Sequence, residues 1–322
     1  MKRFAHLALI LGAVLVFTLT NGAAVADAKD LCRATSQKAM RSCEAGAWSD
    51  YWLARGKCHN LSDPAAREAC AQQAEVDRKD GLEDCQDQRD ARQAVCDRLG
   101  EDPYDPVIDP ANFVATIDNP YMPLTPGTTF IYEGNTTDGF EHQEFVVTSN
   151  TRVVLGVTCV EVHDTVTLNG ELIEDTLDWF AQDLQGNVWY FGESSKEIVN
   201  GEIVSLEGSW EAGVDGAKPG IIMKANPAVG DFYRQEFYLG EAEDIGEVLS
   251  LTAAASVPYG DFTNCLQTAD TVPLEPDALE HKFYASGIGL VLEVDPVTGE
   301  RLELIQIIVN PTGPPALPFV AP

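Results

Sequence analysis

The chain has 322 residues, 45% of them hydrophobic, and carries 51 Asp and Glu against 21 Lys and Arg, a formal net charge of −30. Such an acid surplus repels phosphates and excludes nucleic acid as a partner. The length suffices for a domain with its own core, and beyond the first residues no stretch is long and apolar enough to span a bilayer.

Residues 1–26 read MKRFAHLALILGAVLVFTLTNGAAVA. Lys2 and Arg3 precede an apolar run from Leu7 to Leu19 that ends in Ala24-Val25-Ala26, the pattern of a secretory signal cleaved after Ala26. The run is short for a membrane span of roughly 20 residues. Lys29-Asp30-Leu31 before Cys32 lacks the small residues that precede a lipid-modified cysteine. The mature chain is therefore expected to be secreted or periplasmic, with no membrane span.

Residues 27–100 are rich in Ala, Gln, Arg and Asp and poor in β-branched residues, which favours helix. Their six cysteines, Cys32, Cys43, Cys58, Cys70, Cys85 and Cys96, are separated by 11, 15, 12, 15 and 11 positions. The spacing is a palindrome, as two antiparallel helices require when each cross-link joins residues equally far from the turn. It singles out Cys32–Cys96, Cys43–Cys85 and Cys58–Cys70 among the 15 pairings that six cysteines allow. The turn falls at Asn60-Leu61-Ser62-Asp63, with Asp63 placed to cap the second helix and Pro64 suited to its first position. At about 100° per residue, helical steps of 11 and 15 return to nearly one face. A redox pair needs Cys-x-x-Cys and a zinc site needs close ligand pairs; neither is present, so His59 reads as a solvated residue. An exported chain meets an oxidising compartment, where staples are expected. Residues 101–112 contain three Asp-Pro pairs and read as an extended linker.

From residue 113 to 310, short runs rich in Val, Ile, Thr and aromatics alternate with turn signals, as in antiparallel strands. Asn169-Gly170 and Asn200-Gly201 suit two-residue hairpins, and Asp295 to Gly299 marks another turn. About nine to eleven strands are expected. Cys159 and Cys265 lie in strand-like runs and are expected to bond each other, two buried thiols being the alternative. Residues 311–322 form a Pro-rich tail. The fold class is α+β: a disulfide-stapled antiparallel helical hairpin, then a large antiparallel β domain, as an open or half barrel or a sandwich.

Charge divides unevenly. Residues 27–100 carry 12 basic and 14 acidic side chains, whereas residues 101–322 carry 7 and 37. Calcium, a basic protein surface or water alone fits such a domain. Glu241, Glu243, Asp244 and Glu247 are the densest oxygen cluster and the candidate Ca2+ ligands, although no twelve-residue calcium loop surrounds them. Trp179, Phe180, Trp189, Tyr190 and Phe191 concentrate aromatic surface on two neighbouring strands. Alternation sends Phe180 away from Trp179, and Tyr190 away from Trp189 and Phe191, so one set fills a core and the other can line a groove for a small apolar molecule.

The segments FVATIDNPYMPLTPGTTFIYEG, DTLDWFAQDLQGNVWYFGE, GSWEAGVDGAKPGIIM, VPYGDFTNCL and EHKFYASGIGLVLEV resemble an uncharacterised family of exported bacterial proteins over roughly residues 110–307. FYASGIGLV, Phe283 to Val291, is also similar to the final hairpins of periplasmic half-barrel proteins of the lipoprotein-carrier type. That likeness implies a curved sheet with an apolar concave face.

No Ser-centred elbow, metalloprotease helix or phosphate loop is present, and no catalytic residue is singled out. A non-enzymatic binding protein is expected, holding an apolar ligand on a curved sheet or presenting an acidic surface to a partner. A calcium-dependent structural or cell-surface protein and an envelope hydrolase are the alternatives. Proteolysis without reduction should release a peptide pair joined through Cys43 and Cys85, detectable by mass spectrometry; a Cys43–Cys58 pair would overturn the hairpin.

Overall fold

The computed structural model describes residues 30–310. Residues 1–29, which include the expected signal segment 1–26, and the expected Pro-rich tail 311–322 lie outside the described residues. Helices α1 (Leu31–His59) and α2 (Pro64–Leu99) form the hairpin. Asp63 accepts hydrogen bonds from the backbone N–H groups of Ala65 and Ala66, at 3.3 and 3.1 Å, and Pro64 opens the helix. Cys32–Cys96, Cys43–Cys85 and Cys58–Cys70 are disulfides with Cα separations of 5.7, 5.7 and 5.5 Å. The three staples compensate for a hairpin whose buried side chains are few, each contributing typically about 2 to 4 kcal/mol.

Seventeen strands follow among the described residues. The first half holds β1 (Phe113–Val114), β2 (Thr128–Asn135), β3 (Phe140–Val154), β4 (Val157–Leu168), β5 (Glu171–Asp183), β6 (Val188–Ser194), β7 (Glu197–Val199), β8 (Glu202–Ser205) and β9 (Trp210–Glu211). The second holds β10 (Lys218–Met223), β11 (Phe232–Arg234), β12 (Glu236–Phe237), β13 (Ile245–Val257), β14 (Gly260–Val272), β15 (Glu275–Ala285), β16 (Gly289–Val294) and β17 (Arg301–Val309). The number exceeds the nine to eleven expected because several are pieces of two to four residues. Asn169-Gly170 and Asn200-Gly201 take positive φ at both positions, which matches the twist of the strands they join.

All ladders are antiparallel and nearly close into a barrel. Strands β2 to β6 form one meander and β13 to β17 another; β17 pairs with β2, and β6 pairs with β10. The gap between β10 and β13 is crossed by a broken strand: β12 pairs with β10, and β11 with β13. Gly220 of β10 lies under this crossing, where a Cβ would meet the Gln235 backbone at 2.4 Å. Register places Val147, Val162, Leu266 and Leu304, all fully buried, on the inner face.

Cys159 and Cys265 are free, buried thiols, which corrects the expected disulfide. Cys159 sits on β4, between β3 and β5, and Cys265 on β14, between β13 and β15. No ladder makes these strands neighbours, so both sulfurs serve as small core groups.

The hairpin docks on the barrel through charge. Arg92 of α2 forms a two-pronged pair with Glu243, Nε to Oε2 at 2.9 Å and Nη2 to Oε1 at 2.8 Å, and both side chains are over nine-tenths buried. Arg98 pairs with Glu247 at 2.9 Å and lies 3.8 Å from the centre of the Phe232 ring. Arg92→Met should destabilise the protein by about 3 to 5 kcal/mol in urea unfolding, because it leaves a buried carboxylate unpaired. Adding Glu243→Leu should recover most of that loss. A cost for the single change below about 1 kcal/mol, the level of an exposed pair, would show that the hairpin is not anchored there.

Candidate functional site

The barrel holds a cavity of about 300 Å3. Successive residues of a strand face opposite sides of a sheet, so the ladder register decides what lines it. One row runs Val147, Val162, Asp178 and Glu193; another runs Val160, Phe180, Tyr190 and Gly220. Phe180 and Tyr190 stack with ring centres 4.7 Å apart, and Phe130, Phe145, Ile222 and Leu290 add apolar wall. The segment Met122–Leu124 and the turn at Ile288 and Gly289 meet along one side, where Gly287 N donates to Pro120 O at 2.6 Å.

Two β-bulges re-aim side chains into this space. The pairs Asp178–Glu193 and Phe180–Tyr190 leave Phe191 and Gly192 opposite Trp179 alone, so Tyr190 and Glu193, three positions apart, both face inward. Gly192 at φ 136° is required there, since a Cβ would meet the Trp210 carbonyl at 2.3 Å. On β16 the register shifts in the same way, and Leu290 and Glu293 both line the cavity.

Six carboxylates line the cavity: Asp164, Asp178, Glu193, Glu236, Asp244 and Glu293. Burial, reinforced by the neighbouring acids, pushes Asp178 up to about 7 and Glu193 up to about 9, while the Tyr190 hydroxyl, donating to Asp178 at 2.6 Å, partly offsets the rise at Asp178. Burial also raises Asp164 and Glu236 well above the usual carboxylate range and takes Asp244 to about 6. The neighbouring Asp244 carboxylate adds to the rise at Glu236. On the facing wall Lys282, three-quarters buried, lies 3.2 Å from Glu280 and 3.5 Å from Asp270 and Glu293.

The aromatic set divides between the two faces of the sheet. Phe180 and Tyr190 reach the cavity; Phe191 packs against Phe113 at 5.4 Å, Trp189 donates to Asp183 at 2.9 Å, and Trp179 is buried under the Arg152 guanidinium at 4.0 Å. The four candidate calcium ligands do not converge. Glu243 is taken by Arg92 and Glu247 by Arg98, Asp244 faces the cavity, and Glu241 is exposed. Among the described residues no group of three or more His, Cys, Asp or Glu side chains is placed to hold a metal ion. His59 is exposed beside the hairpin turn.

The other cavity acids, and Lys282, were not singled out from sequence. Asp178 had a signal, an acid two positions from Phe180 on one strand face. Glu193 and Glu293 had none, because simple alternation from Tyr190 and Leu290 sends them outward.

These acids set the pH response. A carboxyl whose folded pKa lies above its unfolded value binds its proton more tightly when folded, so the associated stability is complete near pH 4 and is lost as pH rises through about 7 for Asp178 and about 9 for Glu193. The melting temperature should therefore fall between about pH 5 and pH 8. Asp178→Asn and Glu193→Gln should each raise it at the higher pH, by about 2 to 4 °C per kcal/mol regained at this size, and leave it nearly unchanged at the lower. A flat profile that neither substitution alters would refute the buried, protonated acids.

No protein-family model matches the chain, no curated protein matches it, and no solved structure matches its fold.

Proposed function

We propose that the protein is an exported binding protein that holds a small molecule inside its barrel, with an apolar part of that molecule against the Phe180–Tyr190 stack. The observation that carries this reading is a cavity of about 300 Å3 with aromatic and aliphatic walls and a few convergent polar groups, the usual make-up of a small-molecule site. A core that existed only for stability would fill such a space with side chains. The three disulfides support a secreted or periplasmic setting. The resemblance to exported bacterial proteins points the same way.

The aromatic pair suits a flat or chain-like apolar group rather than a large lipid, given the volume. The hairpin, rigid and outside the cavity, serves as a clamp on the barrel. Its anchor Glu243 immediately precedes Asp244, which lies in the cavity.

Titration with N-phenyl-1-naphthylamine should give a saturable rise in fluorescence at one probe per chain. Ile288→Trp, which fills the partly exposed side of the cavity, should weaken that binding by at least about tenfold, or 1.4 kcal/mol, without lowering the melting temperature. Absence of saturable binding, or an unchanged affinity in Ile288→Trp, would reject the cavity as a ligand site.

A further inference from the structure

We propose that the ligand carries an organic cation, an ammonium or similar group, seated against Asp178, Glu193 and Glu236 on the wall formed by β5, β6 and β12. The inference rests on the binding role proposed above and names the chemical class of the ligand.

Three observations carry it. First, the charge inside the barrel is unbalanced in one place. Of the six carboxylates that line the cavity, Glu293 alone has an ion pair among the described residues, with Lys282. Asp178 and Glu193 stand directly opposite each other in the β5–β6 ladder, an arrangement of like charges that is unfavourable unless something positive or a proton lies between them. Second, Glu236 is 6% exposed, lines the cavity, and leaves Oε2 with no hydrogen-bond partner. An unpaired buried polar atom of this kind is costly and calls for a partner. Trp210 Nε1 is likewise buried without a hydrogen-bond partner. Third, the opposite wall already contains the arrangement in question. Lys282 brings an ammonium within 3.2 to 3.5 Å of Glu280, Asp270 and Glu293. The β5–β6–β12 wall has the carboxylates and no such group.

The neighbouring surface fits the same ligand. The faces of Phe180 and Tyr190 attract a cation electrostatically, by about 0.5 to 2 kcal/mol depending on desolvation, and accept an attached apolar chain. A bare metal ion fits less well, since the described residues offer no group of three or more ligands placed for one. The acids are instead interleaved with aromatic rings.

Proton release follows from the setting. The groups facing the proposed cation are Asp164 from β4, Asp178 from β5, Tyr190 and Glu193 from β6, Glu236 from β12 and Asp244 before β13. Across the cavity stand Tyr132 from β2, Lys282 and Tyr284 from β15, and Glu293 from β16, with Asp270, Glu280 and Tyr233 behind them. Burial pushes Glu193 up to about 9 and raises Glu236 well above the usual carboxylate range, which favours their protonated forms. An arriving cation favours their charged forms, so binding expels a proton and tightens as pH rises, until the ligand loses its own charge.

The test is isothermal titration calorimetry with phenethylamine and with 2-phenylethanol, its neutral counterpart of similar shape. At about pH 8 the amine should bind at least about tenfold tighter than the alcohol, and the advantage should shrink below about threefold near pH 5.5. The binding heat should depend on the ionisation enthalpy of the buffer, which reports the released proton. Asp178→Asn and Glu193→Gln should each remove at least about tenfold of the amine's affinity and leave the alcohol's unchanged. Both substitutions replace a buried acid by an amide of the same shape, so they should fold. Equal or tighter binding of the alcohol, amine binding indifferent to both substitutions, or uptake of N-phenyl-1-naphthylamine with no response to the amine would overturn the cation while leaving the cavity as a binding site. Failure of all three probes would overturn both.

Discussion

The structure turns on carboxylic acids kept out of water inside a barrel. Asp178 and Glu193 oppose each other across one ladder, and Glu236 and Asp244 line the same cavity. Ionised together in a low-dielectric interior they would repel strongly, so burial shifts them toward their protonated forms. That solution works only because the other wall has its own cation. Lys282 compensates Glu293 and Asp270 and partly offsets the burial that raises Asp244, which leaves the uncompensated acids on one side. A packed core would have avoided this arrangement altogether, since apolar residues of the same volume cost nothing to desolvate. Its presence is what gives the cavity a chemical character.

The acidity of the chain therefore has two parts with different consequences. Most of the acids in the β domain keep at least partial contact with solvent and act through long-range repulsion, which favours solubility. A small inner set acts at contact distance. The likeness to half-barrel carriers implied an apolar concave face; the inner face is instead mixed, with Phe130, Phe145, Phe180 and Leu290 alongside the six acids.

The helical hairpin enters this scheme through one loop. Glu243 reaches outward to Arg92 and also accepts from Gly240 N at 2.8 Å, which tightens the turn before it. The next residue, Asp244, reaches inward, and its carbonyl accepts from Gln235 N at the break between β11 and β12. Hairpin docking and cavity chemistry thus share a backbone segment. Disulfides hold the helices in register, so the anchor Arg92 is delivered on a rigid arm rather than a flexible one.

Much of the architecture was legible in the sequence because it is governed by local rules. The palindromic cysteine spacing determined the hairpin and all three of its staples, since helix geometry ties spacing to position along the axis. Asn-Gly pairs determined two turns, because few other residues adopt positive φ at both positions, and alternation separated Phe180 from Trp179 and Tyr190 from Trp189 and Phe191, of which Phe180 and Tyr190 line the cavity. What the chain order cannot specify is which strands end up adjacent and where alternation breaks. Cys159 and Cys265 look like a pair when only counted, yet they sit on strands that the ladder separates. Glu241, Glu243, Asp244 and Glu247 look like one cluster, yet a strand start and a salt-bridged loop send them to four places. Glu193 and Glu293 read as surface residues until a bulge shifts the parity of their strands. The cavity and its acids were decided by tertiary structure alone, because closing the barrel is what removes water from side chains that are individually ordinary.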